Sequence, residues 1–210
     1  MRSKHPHLVH VGFFLAVGLA IPSAIHAQKV EITPFAGRQF GGALNIRSGE
    51  LNIPSAWNYG LVIDIATGPG AYVEVLYARQ ETSLEQRDQA TGTVATLFDI
   101  VVEHFQVGVL YEPEIFRTTR PFASLTGGVT HYDAQEPGRS GEWRFSGGVA
   151  GGVKKSLTEH VGVRADARIL FTFLSSVNDI FCTTSVGCLT GVEGAIVAQG
   201  LLTGGVILSF

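Results

Sequence analysis

The chain has 210 residues, of which 45% are hydrophobic and 16% are charged, and it contains 26 glycines. A chain of this length forms one or at most two domains, and its apolar content excludes a disordered protein. The formal net charge of -3 gives no electrostatic argument for nucleic-acid binding, so we expect no nucleic acid among its partners.

Residues 1–27 have the features of a cleavable signal peptide. Arg2 and Lys4 provide a positive start, residues 11–21 form an apolar run, and small residues lead up to Ala27. A membrane anchor is the alternative, but the run is shorter than the roughly 20 residues that a helix needs to cross lipid. We therefore predict export, with the mature domain at 28–210. No later window is long and apolar enough for a membrane helix, so this domain is either soluble or crosses a membrane as strands.

The mature sequence alternates between apolar and polar residues with a period of two. The clearest case is 161–173, where seven apolar residues alternate with a row that contains Arg164, Asp166 and Arg168. Successive side chains of a strand point to opposite faces, so this pattern predicts strands with one apolar and one polar face. Eight such strands are predicted, at 29–40, 56–66, 71–82, 97–111, 121–132, 143–154, 160–174 and 192–210.

The lengths of the strands and connections favour a barrel that crosses a membrane. Most segments reach the about 9–11 residues that a strand needs to cross lipid, whereas strands of soluble proteins average about 5–6. The connections alternate between short ones (67–70, 112–120 and 155–159) and long ones (41–55, 83–96, 133–142 and 175–191). Bacterial outer-membrane barrels show this asymmetry, with the short turns in the periplasm.

We therefore predict an all-β protein, an eight-stranded antiparallel up-and-down transmembrane β-barrel in the cell outer membrane. Both mature termini are expected in the periplasm. The polar segment 83–96 is predicted to be a solvated outer loop that could contain a short helix. A soluble lipocalin-like carrier is the alternative for a small barrel.

The polar rows are predicted to fill the inside of this barrel. Eight strands enclose an interior only wide enough for side chains, and both signs of charge are present in numbers that can pair. We predict an ionic network in the lumen formed by Glu31, Asp64, Glu74, Arg144, Lys154, Arg164, Asp166 and Arg168. The alternative is an open sheet whose polar face is solvated. Aromatic girdles are expected at the outer interface (Trp57, Tyr59, Trp143 and Phe173) and at the inner interface (Tyr111 and Phe210).

Two further residue types are candidates for chemistry. Cys182 and Cys188 are the only cysteines, and in an exported protein such a pair predicts a disulfide, with free or metal-bound thiols as the alternative. His104 falls on the polar row, where a hydrogen-bonded lumen residue is favoured over a catalytic or proton-relay histidine. The glycine-rich segment 147–156 is similar to a phosphate loop but lacks its Gly-Lys-Ser/Thr ending, so we expect a strand there.

Two stretches of the chain resemble the outer-membrane β-barrel domain family, the small eight-stranded barrels of OmpA and OmpX type. They are Ile32-Thr33-Pro34-Phe35-Ala36-Gly37, followed by Phe40-Gly41-Gly42, and the final Val206-Ile207-Leu208-Ser209-Phe210. The resemblance implies that Phe210 is part of the signal read by the barrel-assembly machinery. It also implies outer-membrane lipid and lipopolysaccharide as partners, and members that serve as anchors, adhesion factors or narrow pores.

From these observations we expect a monomer that is not an enzyme and has no cofactor, metal site or catalytic residue. Its expected role is structural or surface-interacting, with a filled lumen, little or no pore, and outer loops available for an extracellular ligand. A lipid-modifying barrel enzyme and a narrow porin-like channel are the alternatives. The enzyme would need Ser, His and a carboxylate to converge on the lipid-facing wall near the outer leaflet.

Overall fold

The computed structural model describes residues 29–46, 49–88, 92–113, 119–135, 141–174, 180–183, 187–189 and 196–210. The predicted signal peptide at 1–27 lies outside these residues and stays a prediction. Within the described part of the chain, no helix is long and apolar enough to cross a lipid bilayer.

The described residues form twelve β-strands, eight of them long. The long strands are β1 (Val30–Phe40), β4 (Ala56–Gly68), β5 (Ala71–Asp88), β6 (Val94–Tyr111), β7 (Thr119–Ala134), β8 (Glu142–Ser156), β9 (Val161–Phe173) and β12 (Ile196–Ser209). The short strands are β2 (Ala43–Ile46), β3 (Gly49–Asn52), β10 (Ile180–Thr183) and β11 (Gly187–Leu189). Each long strand pairs antiparallel with the long strands before and after it, and β1 pairs with β12. The predicted eight-stranded antiparallel up-and-down barrel is therefore confirmed.

The strand register gives the stagger of the closed barrel. A circuit through paired residues starts at Val30 and returns to β1 at Phe40, ten residues further along the strand. It passes through Ile65, Val73, Val109, Leu125, Val149, Ile169 and Gly200. A stagger of ten over eight strands corresponds to a strand tilt of about 40°. This tilt determines which side chains of different strands meet inside the barrel.

The apolar rows face outward and the polar rows face inward. Along β9, Val163, Ala165 and Ile169 are exposed, whereas the alternate residues, including Arg164 and Arg168, are buried inside the barrel. The same alternation occurs on the other long strands, and large apolar side chains cover the exterior. A soluble barrel would place these apolar residues in its core, so this orientation is the one typical of a membrane barrel.

The two ends of the barrel differ, and we name them the turn end and the loop end. The turn end carries the tight connections β4–β5 and β8–β9, and there Val30 and Phe210 exchange two backbone hydrogen bonds. The β4–β5 turn needs Gly70, which has a φ of 67° that favours glycine. In the β8–β9 turn, the Thr158 hydroxyl accepts hydrogen bonds from the backbone N–H groups of His160 and Val161. The β6–β7 connection is also at the turn end, whereas the connections β1–β4, β5–β6, β7–β8 and β9–β12 are at the loop end.

The structure corrects the prediction for segment 83–96. In the described part of this segment there is no helix, because β5 and β6 continue as a paired hairpin to Asp88 and Val94. The alternation also continues there, with Leu84 and Phe98 buried on the inner face. The predicted loops 41–55 and 175–191 contain the short hairpins β2–β3 and β10–β11, and β3 pairs with the extended part of β5.

Candidate functional site

The predicted ionic network lies inside the barrel toward the turn end, with Arg164 at its centre. The Arg164 guanidinium contacts Asp64 Oδ2 at 2.9 Å and Glu74 Oε2 at 2.7 Å, two carboxylates from neighbouring strands. Its Nε also contacts Asp166 Oδ2 at 2.8 Å, and Arg168 reaches the second oxygen of Glu74 at 2.9 Å. All five side chains are buried, so each charge is compensated by partners within the barrel.

Lys154 connects this centre to a second group of charges. Its ammonium lies 2.7 Å from Glu31 Oε2 and 2.8 Å from Asp64 Oδ2, and all three side chains are fully buried. The same ammonium lies 4.8 Å from the ring centroid of Tyr72 and 5.6 Å from that of Phe122. Ion pairs and ring faces together therefore replace the water that this cation loses on burial.

The network extends to three residues that the sequence analysis did not include. Arg120 bridges Glu31 at 3.1 Å and Glu112 at 2.8 Å. Lys29, which lies at the rim of the barrel, contacts Glu31 at 2.7 Å. Among the described residues, the network has five cations (Lys29, Arg120, Lys154, Arg164 and Arg168) and five carboxylates (Glu31, Asp64, Glu74, Glu112 and Asp166). The described network is therefore electrically balanced.

Arg144 does not join the network, although the prediction included it. It lies on β8, ten residues from Lys154 and near the loop end, where it pairs with Glu142 at 2.6 Å. Alternation along a strand identifies the face on which a residue lies but not its height in the barrel. Arg144 shares the inner face with the other seven predicted residues, which meet one another, but it lies too far toward the loop end to reach them.

A layer of neutral polar side chains follows the ionic network toward the loop end. His104 is fully buried there, and its Nε2 accepts a hydrogen bond from the Gln39 amide nitrogen at 3.2 Å. The orientation of this amide is set by Asn58, which donates to the Gln39 carbonyl oxygen. His104 Nδ1 lies 2.8 Å from Thr130 Oγ1, within hydrogen-bond distance. His104 is thus a buried, hydrogen-bonded lumen residue, as favoured from the sequence.

Apolar side chains close the interior at the loop end. They are Ile53, Leu84, Phe98, Ile100, Val102, Tyr132 and Ala134. Together with the ionic network and the neutral layer, this apolar cap places buried side chains along the described interior of the barrel from the turn end to the loop end. Such an interior differs from that of the larger porins, which leave an aqueous channel.

A second polar cluster lies on the exterior wall near the loop end. Arg79 contacts Glu81 at 3.0 Å and Glu103 at 3.2 Å, and the Tyr77 hydroxyl donates to Glu103 at 2.7 Å. His131 Nδ1 lies 3.4 Å from the other oxygen of Glu103, and its ring stacks on Trp143 with centroids 4.5 Å apart. The predicted aromatic residues border this cluster, because Trp57, Tyr59, Trp143 and Phe173 are all exposed at this level.

The remaining predicted site residues lie at the two ends. Cys182 is in β10 and Cys188 is in β11, the two strands of one hairpin, but their side chains lie outside what the structure describes, so the disulfide stays a prediction. Phe210 is at the turn end with 73% of its surface exposed. Like Tyr111, it is on the exterior of the barrel. Among the described residues, no cluster of His, Cys, Asp and Glu could hold a metal ion.

Replacing Phe210 by alanine is expected to lower the amount of assembled barrel in the membrane several-fold. The reason is that the aromatic side chain is exposed and contributes little packing, so its loss removes a recognition feature rather than core stability. The backbone hydrogen bonds with Val30 remain in this variant. The measurement is the amount of heat-modifiable protein in outer-membrane fractions, with Phe210→Tyr as the control that keeps the aromatic ring. Equal levels of Phe210→Ala and wild type would remove the argument for a terminal signal.

Comparisons with known proteins identify the class of fold. No family model and no curated protein matches the chain. Among solved structures, the barrel is similar to Neisserial surface protein A, with 14% identity and a TM-score of 0.57 over 87% of this chain and 97% of that one. It is also similar to the outer membrane protein OprG from Pseudomonas aeruginosa, with 15% identity and a TM-score of 0.58 over 88% of this chain and 96% of that one. The chain therefore has the fold of the small eight-stranded outer-membrane barrels.

Proposed function

We propose that this chain is an integral protein of the bacterial outer membrane, with the turn end in the periplasm and the loop end outside the cell. The long strands have 11 to 18 residues, enough for the about 9–11 needed to cross lipid. Exposed aromatic residues near both ends of the apolar exterior match the girdles expected at two membrane interfaces. The structural similarity to outer-membrane barrels supports the same location.

We propose that the barrel serves a structural or surface-interaction role and does not conduct solutes. The observation that carries this proposal is the filled interior, where the ionic network, the neutral layer and the apolar cap follow one another. Recognition of a partner would fall to the segments beyond the outer girdle. There the β5–β6 hairpin, extended by β2 and β3, forms a sheet that can present side chains to a ligand.

Purified protein in planar lipid bilayers tests this proposal. The filled interior predicts no reproducible current steps at voltages where a water-filled porin, measured in the same bilayer, conducts. Insertion is checked independently by recovering the protein with the lipid and observing its heat-dependent gel mobility. Discrete current steps from the inserted wild-type barrel would contradict the closed lumen and favour the narrow channel.

A lipid-modifying enzyme is a second candidate, and one feature of the exterior wall favours it. Glu103 and His131 form an acid–base pair that faces lipid at the level of the outer girdle. The histidine for such chemistry would be His131, because His104 is held inside the barrel. Lipid A extracted from cells that express wild type or His131→Gln discriminates the two candidates. An acylation pattern that changes with wild type but not with His131→Gln would favour the enzyme.

A further inference from the structure

The exterior wall contains an apolar groove where strands β8, β9 and β12 run side by side. Its volume is about 490 Å³, within the range of about 300–1,000 Å³ typical of ligand sites. The exposed side chains of Phe40, Val149, Ile169 and Leu202 form its sides. The groove begins at Phe40, near the outer girdle, and runs toward the turn end.

The groove exists because small residues replace larger ones on the outward rows of these strands. Gly151, Ala167 and Gly200 line it. A Cβ atom built on Gly200 would meet only the Phe40 side chain, with its nearest ring atom at 3.6 Å, so the backbone there has room for a side chain that would project into the groove. The groove is therefore a gap in the side-chain layer, open to whatever surrounds the barrel.

A cation that has no carboxylate partner among the described residues lies next to this groove. Arg38 is on the outward row of β1, two residues before Phe40 and paired in register with Leu202. Its guanidinium lies over the ring of Trp57, 5.5 Å from the centroid. Within the described part of the chain, no carboxylate is within ion-pair distance of Arg38, in contrast to Arg79, which contacts both Glu81 and Glu103.

A guanidinium at the edge of a membrane-facing wall is stabilised when an anion reaches it. Guanidinium groups bind phosphate through two parallel hydrogen bonds, and the phosphates of lipids lie at the interface where the outer girdle is expected. The groove beside Arg38 is apolar and elongated, as a hydrocarbon chain requires. Cation and groove together thus match a molecule that has a phosphate at one end and an acyl chain at the other.

We propose that Arg38 and this groove bind one molecule of lipopolysaccharide through its lipid A part. Arg38 binds a lipid A phosphate, and one acyl chain lies in the groove between Phe40 and Gly151. This inference rests on the proposed location in the outer membrane, because lipopolysaccharide occupies the leaflet that surrounds the loop end. It adds a defined lipid site on the exterior wall of the barrel.

Native mass spectrometry tests the site. The folded barrel is mixed with lipid in detergent, and the lipid that stays bound after the detergent is removed in the spectrometer is measured. We expect wild type to retain one lipid A molecule, and both Arg38→Gln and Gly200→Leu to reduce the bound fraction about tenfold, since each removes one half of the site. The matched controls are Gly204→Leu and Lys155→Gln. Gly204 is on the same strand and has open space around it, and Lys155 is an exposed cation at the turn end. Both controls are expected to bind lipid A as wild type does.

The other outcomes overturn the inference in distinguishable ways. Retention of zwitterionic phosphatidylethanolamine to the same extent would show that lipid adheres without recognition of charge. Equal retention of phosphatidylglycerol would assign the site to anionic phospholipid in place of lipid A. Equal loss in Gly204→Leu, or no loss in Gly200→Leu, would remove the groove from the site. In each case heat-dependent gel mobility and insertion into vesicles report separately on the barrel, so the proposed function can stand when the lipid site fails.

Discussion

Replacing Lys154 by methionine is expected to destabilise the folded barrel by about 3–5 kcal/mol, the usual cost of breaking a buried ion pair from one side. Lys154→Met keeps most of the side-chain volume but leaves Glu31 and Asp64 without their shared cation. The network then holds five carboxylates and four cations. The measurement is the free energy of unfolding from urea titrations in lipid vesicles, followed by tryptophan fluorescence.

Two further variants show how much of the lost stability is due to the burial of Lys154 and how much to the loss of a positive charge. Lys29→Met removes a cation from the same network at its rim, where 42% of the side chain is exposed, and should cost about 1 kcal/mol or less. The double variant Lys154→Met with Asp64→Asn restores the balance of charge and should recover part of the lost stability. A Lys154→Met barrel as stable as Lys29→Met would contradict a buried, interdependent network.

Leu125→Arg is expected to destabilise the barrel by about 2–4 kcal/mol, as charged side chains do on the lipid face near the bilayer centre. Leu125 is outward-facing and 61% exposed, about halfway along β7 between Thr119 and His131. If this position faced water, an exposed arginine there would change the free energy of unfolding little. The size of the measured change therefore shows whether Leu125 faces water or lipid. The same urea titrations measure it.

The control for Leu125→Arg is the same change beyond the membrane. Val94 is also more than half exposed, but it is at the tip of the β5–β6 hairpin, outside the proposed bilayer. Val94→Arg is expected to change the free energy of unfolding by about 1 kcal/mol or less. Equal effects at Leu125 and Val94 would show that both positions face the same solvent, and the proposed membrane span would be wrong.

The strands were predictable from the sequence because alternation with period two is a local signal. Seven of the eight long strands agree with their predicted bounds to within four residues at each end. β5 is the exception, since the polar residues 85–88 are typical of a loop, and Leu84 and Phe98 reveal the continued strand only once their common inner face is known. Local patterns therefore predicted the barrel but not the length of its longest hairpin.

Most members of the ionic network were predictable from the sequence, but the pairs that they form were not. The alternation of faces along each strand predicted that the charged residues lie inside. The same alternation predicts an inward Glu112, because it follows the outward Tyr111 by one residue. Which carboxylate meets which cation depends on the stagger of ten residues, a property of the closed barrel that no single strand encodes. The groove and the position of Arg38 beside it likewise depend on residues from several strands, so the sequence alone showed neither.

The orientation of the wall can be measured on the unmodified protein, because both of its tryptophans are exterior. Trp57 and Trp143 have 66% and 56% of their surfaces exposed at the level of the outer girdle. In vesicles made with brominated lipids, we expect strong quenching of their fluorescence by bromines near the top of the acyl chains and weak quenching by aqueous iodide. Strong quenching by iodide with none by brominated lipid would place these faces in water and contradict a barrel whose apolar side chains face the membrane.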